Sequence, residues 1–146
     1  MRDFHFPGRS AVYAENGMCA TSHPLAAKTA LEILQRGGNA MDAAIAGAVL
    51  LGLCEPQMTG LGGDCFVLFS PAGSDAIRAM NGSGKSSQAL QAQWLRHQSH
   101  KVLPQPGVEA TTTPGTAAAF RTLSNEWGKL AVDALLAPTT HSTHRA

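Results

Sequence analysis

The amino-acid sequence predicts an α+β fold in which helices pack on a β-hairpin, and three observations lead there. Two helical patterns follow one another from residue 24 to residue 54. A run rich in Phe, Val and Leu, Cys65 to Ser70, is followed by turn chemistry and a second short apolar run. Hydrophobic residues make up 44% of the chain against 14% charged, which is enough apolar material for a core and too little charge for a disordered chain. At 146 residues the chain is one domain or part of a larger one.

The elements follow in order. Gly17 to Ala20 reads as a short strand. Thr21, Ser22 and His23 ahead of Pro24 form a helix start, because proline is tolerated in the first turn and hydroxyl side chains can satisfy orphan N–H groups. From Pro24 to Arg36 the positions Ala27, Ala30, Leu31 and Leu34 fall at helical spacing, and Gly37-Gly38 stops the helix. Asn39 is the N-cap of a second helix, with Asp42 favouring the positive end of its dipole. Residues 43 to 51 are small and apolar nearly all round, so this helix is expected to be buried on most sides.

Beyond Glu55-Pro56, Thr59 to Asp64 is a glycine-rich loop whose glycines are expected to permit tight backbone packing at the start of the strand. The loop runs from helix to strand, the reverse of the order a phosphate cradle needs, so nucleotide binding is not assigned to it. Pro71 to Asp75 is a turn, and Ala76 to Met80 returns as the second strand of the hairpin. Asn81 to Ser87 is a polar loop, Gln88 to His97 a helix, and Pro104 to Gly107 a break. Thr113-Pro114-Gly115-Thr116 precedes a helix from Ala117 to Trp127, with Phe120, Leu123 and Trp127 on one face and Gly128 as its stop.

Composition narrows the function. Eleven Lys plus Arg against ten Asp plus Glu leave a formal net charge of +1, which supplies no field for nucleic acid or an anionic membrane. Cys19, Cys54 and Cys65 are odd in number and sit in apolar surroundings, so they read as small buried hydrophobes rather than a disulfide framework. The opening residues carry no apolar signal segment, and Ala40 to Cys54 holds Asp42 and falls short of the roughly 20 residues that span a bilayer. The expected setting is cytoplasmic, with no membrane partner.

Ser22-His23-Pro24-Leu25-Ala26, Leu31-Glu32-Ile33-Leu34 and Gly37 to Ala44 together resemble the opening of the gamma-glutamyltranspeptidase family. The similarity continues through Glu55-Pro56, Gly60-Leu61-Gly62-Gly63-Asp64-Cys65-Phe66, Pro114-Gly115-Thr116 and Leu135-Leu136-Ala137-Pro138. No one of these motifs is specific, and their order carries the resemblance. It implies the N-terminal portion of an N-terminal-nucleophile hydrolase, an αββα sandwich whose precursor cuts itself into a large and a small subunit. It implies action on gamma-glutamyl or related amide substrates, without cofactor or metal. On this reading residues 1–138 are a partial large-subunit domain, and 139–146 are a divergent, disordered tail left by a frameshift or early stop.

The family's nucleophile is a threonine at the new N-terminus of the small subunit, whose α-amine can serve as its base. Thr139-Thr140-His141 is similar to the three residues that open that subunit, which makes Thr140 the one catalytic candidate. The intervening large subunit is absent and Ser142-Thr143-His144-Arg145 does not continue as an apolar strand, so no catalytic residue is assigned. For substrate binding, the family usually places an arginine after the first hairpin, where it grips the substrate's α-carboxylate. Here Ser83 falls on that position and Lys85 is the nearby cation, a point charge without the planar fork. With that departure, a divergent family branch acting on another acyl or gamma-glutamyl substrate fits at least as well as glutathione-type substrates.

Other chemistry-bearing residues have plainer readings. His23 belongs to the helix start, Asp42 to the helix end, and His97, His100, His141 and His144 to solvent rather than metal. Three functional readings stand side by side. One is an inactive portion of an amide hydrolase. Another is a non-catalytic module that binds a small ligand or pairs with a separate small subunit. The third is a minimal hydrolase that cleaves between Thr139 and Thr140.

Overall fold

The first helix, α1 (Pro24–Gln35), begins where Pro24 supplies a preset φ and no N–H to satisfy. Its cap is the imidazole of His23: Nδ1 accepts the Leu25 N–H at 3.3 Å. The hydroxyl expected for this task works elsewhere, since Ser22 Oγ donates to Glu55 Oε2 at 2.8 Å and ties the start of α1 to a residue 33 positions further along the chain. At the other end the Gly38 N–H reaches the Ile33 carbonyl and the Gly37 N–H the Leu34 carbonyl, both at 3.0 Å. This paired closure needs a left-handed residue, and Gly37 supplies it at φ 89°. The computed structural model describes residues 11–98, 101–103 and 107–143, the last three for their backbone alone.

Helix α2 (Ala40–Cys54) opens on a reciprocal cap. The Asp42 N–H donates to Asn39 Oδ1 at 3.0 Å while the Asn39 N–H donates to Asp42 Oδ2 at 2.9 Å. The same two side chains reach across the molecule. Asn39 Nδ2 donates to the Trp127 carbonyl at 2.7 Å, and the Lys129 N–H lies 3.1 Å from both Asp42 carboxylate oxygens. A fully buried carboxylate is tolerable only with such partners, and Asp42 is 0% exposed. The helix-end role read from sequence is therefore half of its task.

Behind this cap α2 is the central element. Met41, Ala43, Ile45, Ala46 and Leu50 are buried, and α1, α4 (Thr116–Trp127) and α5 (Val132–Thr143) all pack against it. Its small residues let α1 come close: a Cβ added at Gly47 would stand 3.4 Å from the Ala26 carbonyl. Ala30 and Ile33 of α1, Leu123 of α4 and Leu135 of α5 complete the core.

The sheet has two antiparallel strands, β1 (Cys65–Phe69) and β2 (Arg78–Gly82), in the register Cys65 to Gly82 and Phe69 to Arg78. Alternation along the strands turns Val67, Phe69 and Met80 toward the helices. Phe66 and Leu68 face outward and are 70% and 77% exposed. The Phe69 and Trp127 rings meet edge to face at 5.0 Å, and the Arg78 guanidinium lies 5.6 Å from the Trp127 ring centre, so the turn end of the hairpin is fastened to α4.

Several expectations are corrected. Gly17 to Ala20 is not a strand, because no described segment pairs with it. The second strand runs two residues later than Ala76 to Met80, since Asn81 and Gly82, turn residues by composition, pair with Phe66 and Cys65. Only the short α3 (Ala92–His97) forms within Gln88 to His97. Of the expected break at Pro104 to Gly107, residues 104–106 lie outside the described residues, and Gly107 leads into a single 3-10 turn at Val108–Ala110. Helix α5, with the buried Leu135 near its start, runs on through Pro138 to Thr143. Residues 144–146 lie outside the described residues. Among those described, no helix is long and apolar enough to cross a membrane.

Candidate functional site

Three loops converge at one end of the hairpin: 59–64 before β1, 83–87 after β2, and 111–115 before α4. The Gly63 carbonyl accepts the N–H groups of Gly115 and Thr116 at 3.0 and 3.1 Å. Asp64 joins the other two loops, its Oδ1 accepting the Gly84 N–H at 2.8 Å and the Thr112 hydroxyl at 3.3 Å. The Lys85 carbonyl accepts the Thr113 N–H at 2.9 Å, and Ser86 forms an antiparallel bridge with Thr112.

These backbones run too close for side chains between them. A Cβ on Gly84 would run into the Thr113 carbonyl, and one on Gly115 into the Gly82 carbonyl. The glycines singled out in the sequence behave differently. A Cβ on Gly60 or Gly62 would meet nothing within 4 Å, so the tight packing expected there is found at Gly84 and Gly115 instead.

The two substrate-binding candidates sit on this scaffold, on either side of Gly84. The Ser83 N–H is held by Asn81 Oδ1 at 2.9 Å, and its exposed hydroxyl reaches the Gly84 carbonyl at 3.3 Å. Lys85 is held by its main chain while its side chain is exposed. The catalytic candidate Thr140 lies outside the three loops in the sequence. It lies in α5, its hydroxyl donating to the Ala137 carbonyl at 2.9 Å. Sequence reasoning missed Asp64 as the joint of the three loops. Its only signal was an acidic residue closing a glycine run, and its partners lie 20 and 48 residues away.

Chemically the cluster offers a lysine ammonium, a carboxylate and a serine hydroxyl on a backbone fixed by its own hydrogen bonds. That set suits recognition of a small polar or zwitterionic group. Cys65, at the start of β1, is a partly buried free cysteine, and burial pushes its thiol up. An apolar hollow of about 350 Å³ borders the loop, lined by Ser87, Leu90, Trp94, Val108 and Glu109 among others. Among the described residues no three His, Cys, Asp or Glu side chains come together as a metal site.

Comparison with known proteins places this geometry. The family model for gamma-glutamyltranspeptidase matches residues 26–145, which includes the tail beyond Pro138. The Glutathione hydrolase-like YwrD proenzyme of Bacillus subtilis (strain 168) is 34% identical over 129 residues, covering 88% of this chain and 24% of that protein. The Oxamate amidohydrolase proenzyme of Klebsiella pneumoniae is 35% identical over 112 residues, covering 76% of this chain and 21% of that protein. The crystal structure of cephalosporin acylase from Bacillus halodurans superposes with a TM-score of 0.84 at 39% identity, over 98% of this chain and 27% of that one. The chain thus spans about a quarter of the length of such relatives.

Proposed function

This chain belongs to the gamma-glutamyltranspeptidase family, and on that premise we propose that it forms the substrate-binding loop end of an N-terminal-nucleophile amide hydrolase. The reaction is acyl transfer. A threonine hydroxyl attacks the acyl carbon of an amide, the amine leaves with a proton, and water or an acceptor amine releases the acyl group. The observation that carries this reading is the loop cluster itself, which presents Ser83 and Lys85 from a backbone locked by Asp64 and Gly63. Lys85 attracts a substrate carboxylate as a point charge and Ser83 adds a hydrogen bond. We assign Thr140 no catalytic role, because its hydroxyl is engaged within α5. The nucleophile comes from chain outside these 146 residues or from a small subunit.

The substrate class we favour is an acyl amide other than glutathione. Two features support it: Ser83 stands where the family's arginine is expected, and the relatives above include an acylase and an oxamate amidohydrolase by name. The three unpaired cysteines support a reducing, cytoplasmic setting.

A second observation favours a pairing role within the same assembly. A two-stranded sheet is marginal alone, and Phe66 and Leu68 leave its outer face apolar and uncovered. We infer that a further sheet, on a small subunit or on more of the same chain, covers that face.

The test is a graft. This segment replaces its counterpart in the Bacillus halodurans cephalosporin acylase, and the product is assayed on gamma-glutamyl, glutaryl and oxamate amides. The expected outcome is hydrolysis that favours the non-glutamyl amides, with Ser83→Arg raising gamma-glutamyl turnover at least about tenfold. A graft that folds and processes itself yet prefers gamma-glutamyl amides without that arginine would overturn the substrate assignment.

A further inference from the structure

Residues of α2, α4 and α5 together with residues 59–61 line a cavity of about 280 Å³ that is open to solvent on one side, where Leu53 and Leu61 are exposed. Val49, Leu53, Leu61 and Phe120 give it apolar walls, and no charged side chain lines it among the described residues. Three threonines, Thr59, Thr116 and Thr139, interrupt that apolar lining; Thr59 is exposed to solvent, and the other two hydroxyls are buried. Thr116 is 5% exposed, and its two polar groups have separate surroundings. Its N–H is held by the Gly63 carbonyl at 3.1 Å, whereas its Oγ1, at the cavity wall, is buried without a hydrogen-bond partner. Thr139 Oγ1, from α5, is buried at the same wall and is likewise without a partner.

A buried hydroxyl left unpaired is unfavourable, and native proteins hold few of them. Two at one largely apolar cavity call for an occupant that is apolar along its body and polar at one end. An apolar cavity of about 150 Å³ already takes benzene, so the space here admits a ring or a short chain with a head group. The absence of a charged wall residue makes a charged head group unfavourable, because its desolvation would go uncompensated.

We propose that this cavity is a binding site for a small neutral amphiphile, a molecule with a compact hydrocarbon body and a hydroxyl or primary amide that bonds to Thr116 and Thr139. The site is separate from the substrate-binding role assigned to the loops. The two share the loop of residues 59–64 and Thr116, whose backbone serves one and whose side chain serves the other.

The experiment titrates the 146-residue chain with cyclohexanol, cyclohexane and cyclohexylammonium while following the methyl resonances of Val49, Leu53 and Leu61. Saturable shifts are expected with cyclohexanol and none with the cation. The double substitution Thr116→Val with Thr139→Val, which preserves shape, is expected to weaken cyclohexanol at least about tenfold while leaving cyclohexane within about twofold. Ala48→Leu, which fills the cavity from α2, is expected to abolish both. The proposal is overturned if the wild-type shifts do not saturate, if the valine pair binds the alcohol as tightly as wild type, or if only ordered water is found against the two hydroxyls. A chain whose spectrum lacks the dispersion of a packed core also overturns it, since the cavity would not then exist.

Discussion

The helical side and the hairpin side of this molecule are built on different terms. In the helical layer the ends of the two central helices have partners: His23 and Asn39 cap α1 and α2, Gly37 and Gly38 close α1, and Asp42 holds the chain beyond α4. The hairpin buries one face on that layer and leaves Phe66 and Leu68 in solvent on the other. The loops beyond the hairpin are joined by backbone hydrogen bonds and the Asp64 carboxylate rather than by a core. One side of the fold is closed against itself, and the other presents an apolar face to solvent in a chain about a quarter the length of its relatives.

Substitutions sharpen that contrast. The largest loss is expected for Ile33→Ala, where a fully buried side chain leaves a cavity between α1 and α2, and destabilisation of about 3 to 4 kcal/mol should appear as a lower urea midpoint. Asp42→Ala is expected to cost about 2 to 3 kcal/mol in the same assay, because the N–H groups of Asn39 and Lys129 lose their acceptors together. Asp64→Ala, on the open side, is expected to cost only about 1 kcal/mol globally. It should speed amide hydrogen exchange at Gly84 while leaving α2 unchanged. Equal exchange at both places would break the distinction between the two sides. The smallest stability effect is expected for Phe66→Ser with Leu68→Ser, within about 0.5 kcal/mol in the isolated chain. The pair should reduce self-association measured by light scattering, and unchanged association would show that the outer face is not the sticky one.

Most of the closed side was legible in the sequence because its signals are local. Pro24, Gly37-Gly38 and the Asn39-Asp42 pair each act within a few residues, and α2 announced its burial by being apolar all round. The open side depends on distant partners. Asn81 and Gly82 carry turn composition yet extend β2, because the inner face has room only for a glycine: a Cβ at Gly82 would lie 2.7 Å from the Cys65 carbonyl and 2.8 Å from the Ala119 Cβ. Asp64 could not be recognised as a joint before Gly84 and Thr112 were placed beside it. The helix across Thr139 to Thr143 was invisible for a related reason, since packing upstream at Leu135 rather than its own apolar pattern carries it. Ser83 and Lys85 were found through resemblance to the family. The structure adds that their backbones are held on either side of Gly84.

The central claim is that this loop cluster binds the substrate, and Lys85 is its most direct probe. In the grafted acylase, Lys85→Met is expected to raise KM about tenfold for an amide substrate bearing a free carboxylate while leaving kcat within about twofold. A neutral amide should be unaffected. If KM for the carboxylate substrate is unchanged in a graft that folds and turns over, Lys85 does not meet the substrate and the account of this site is wrong.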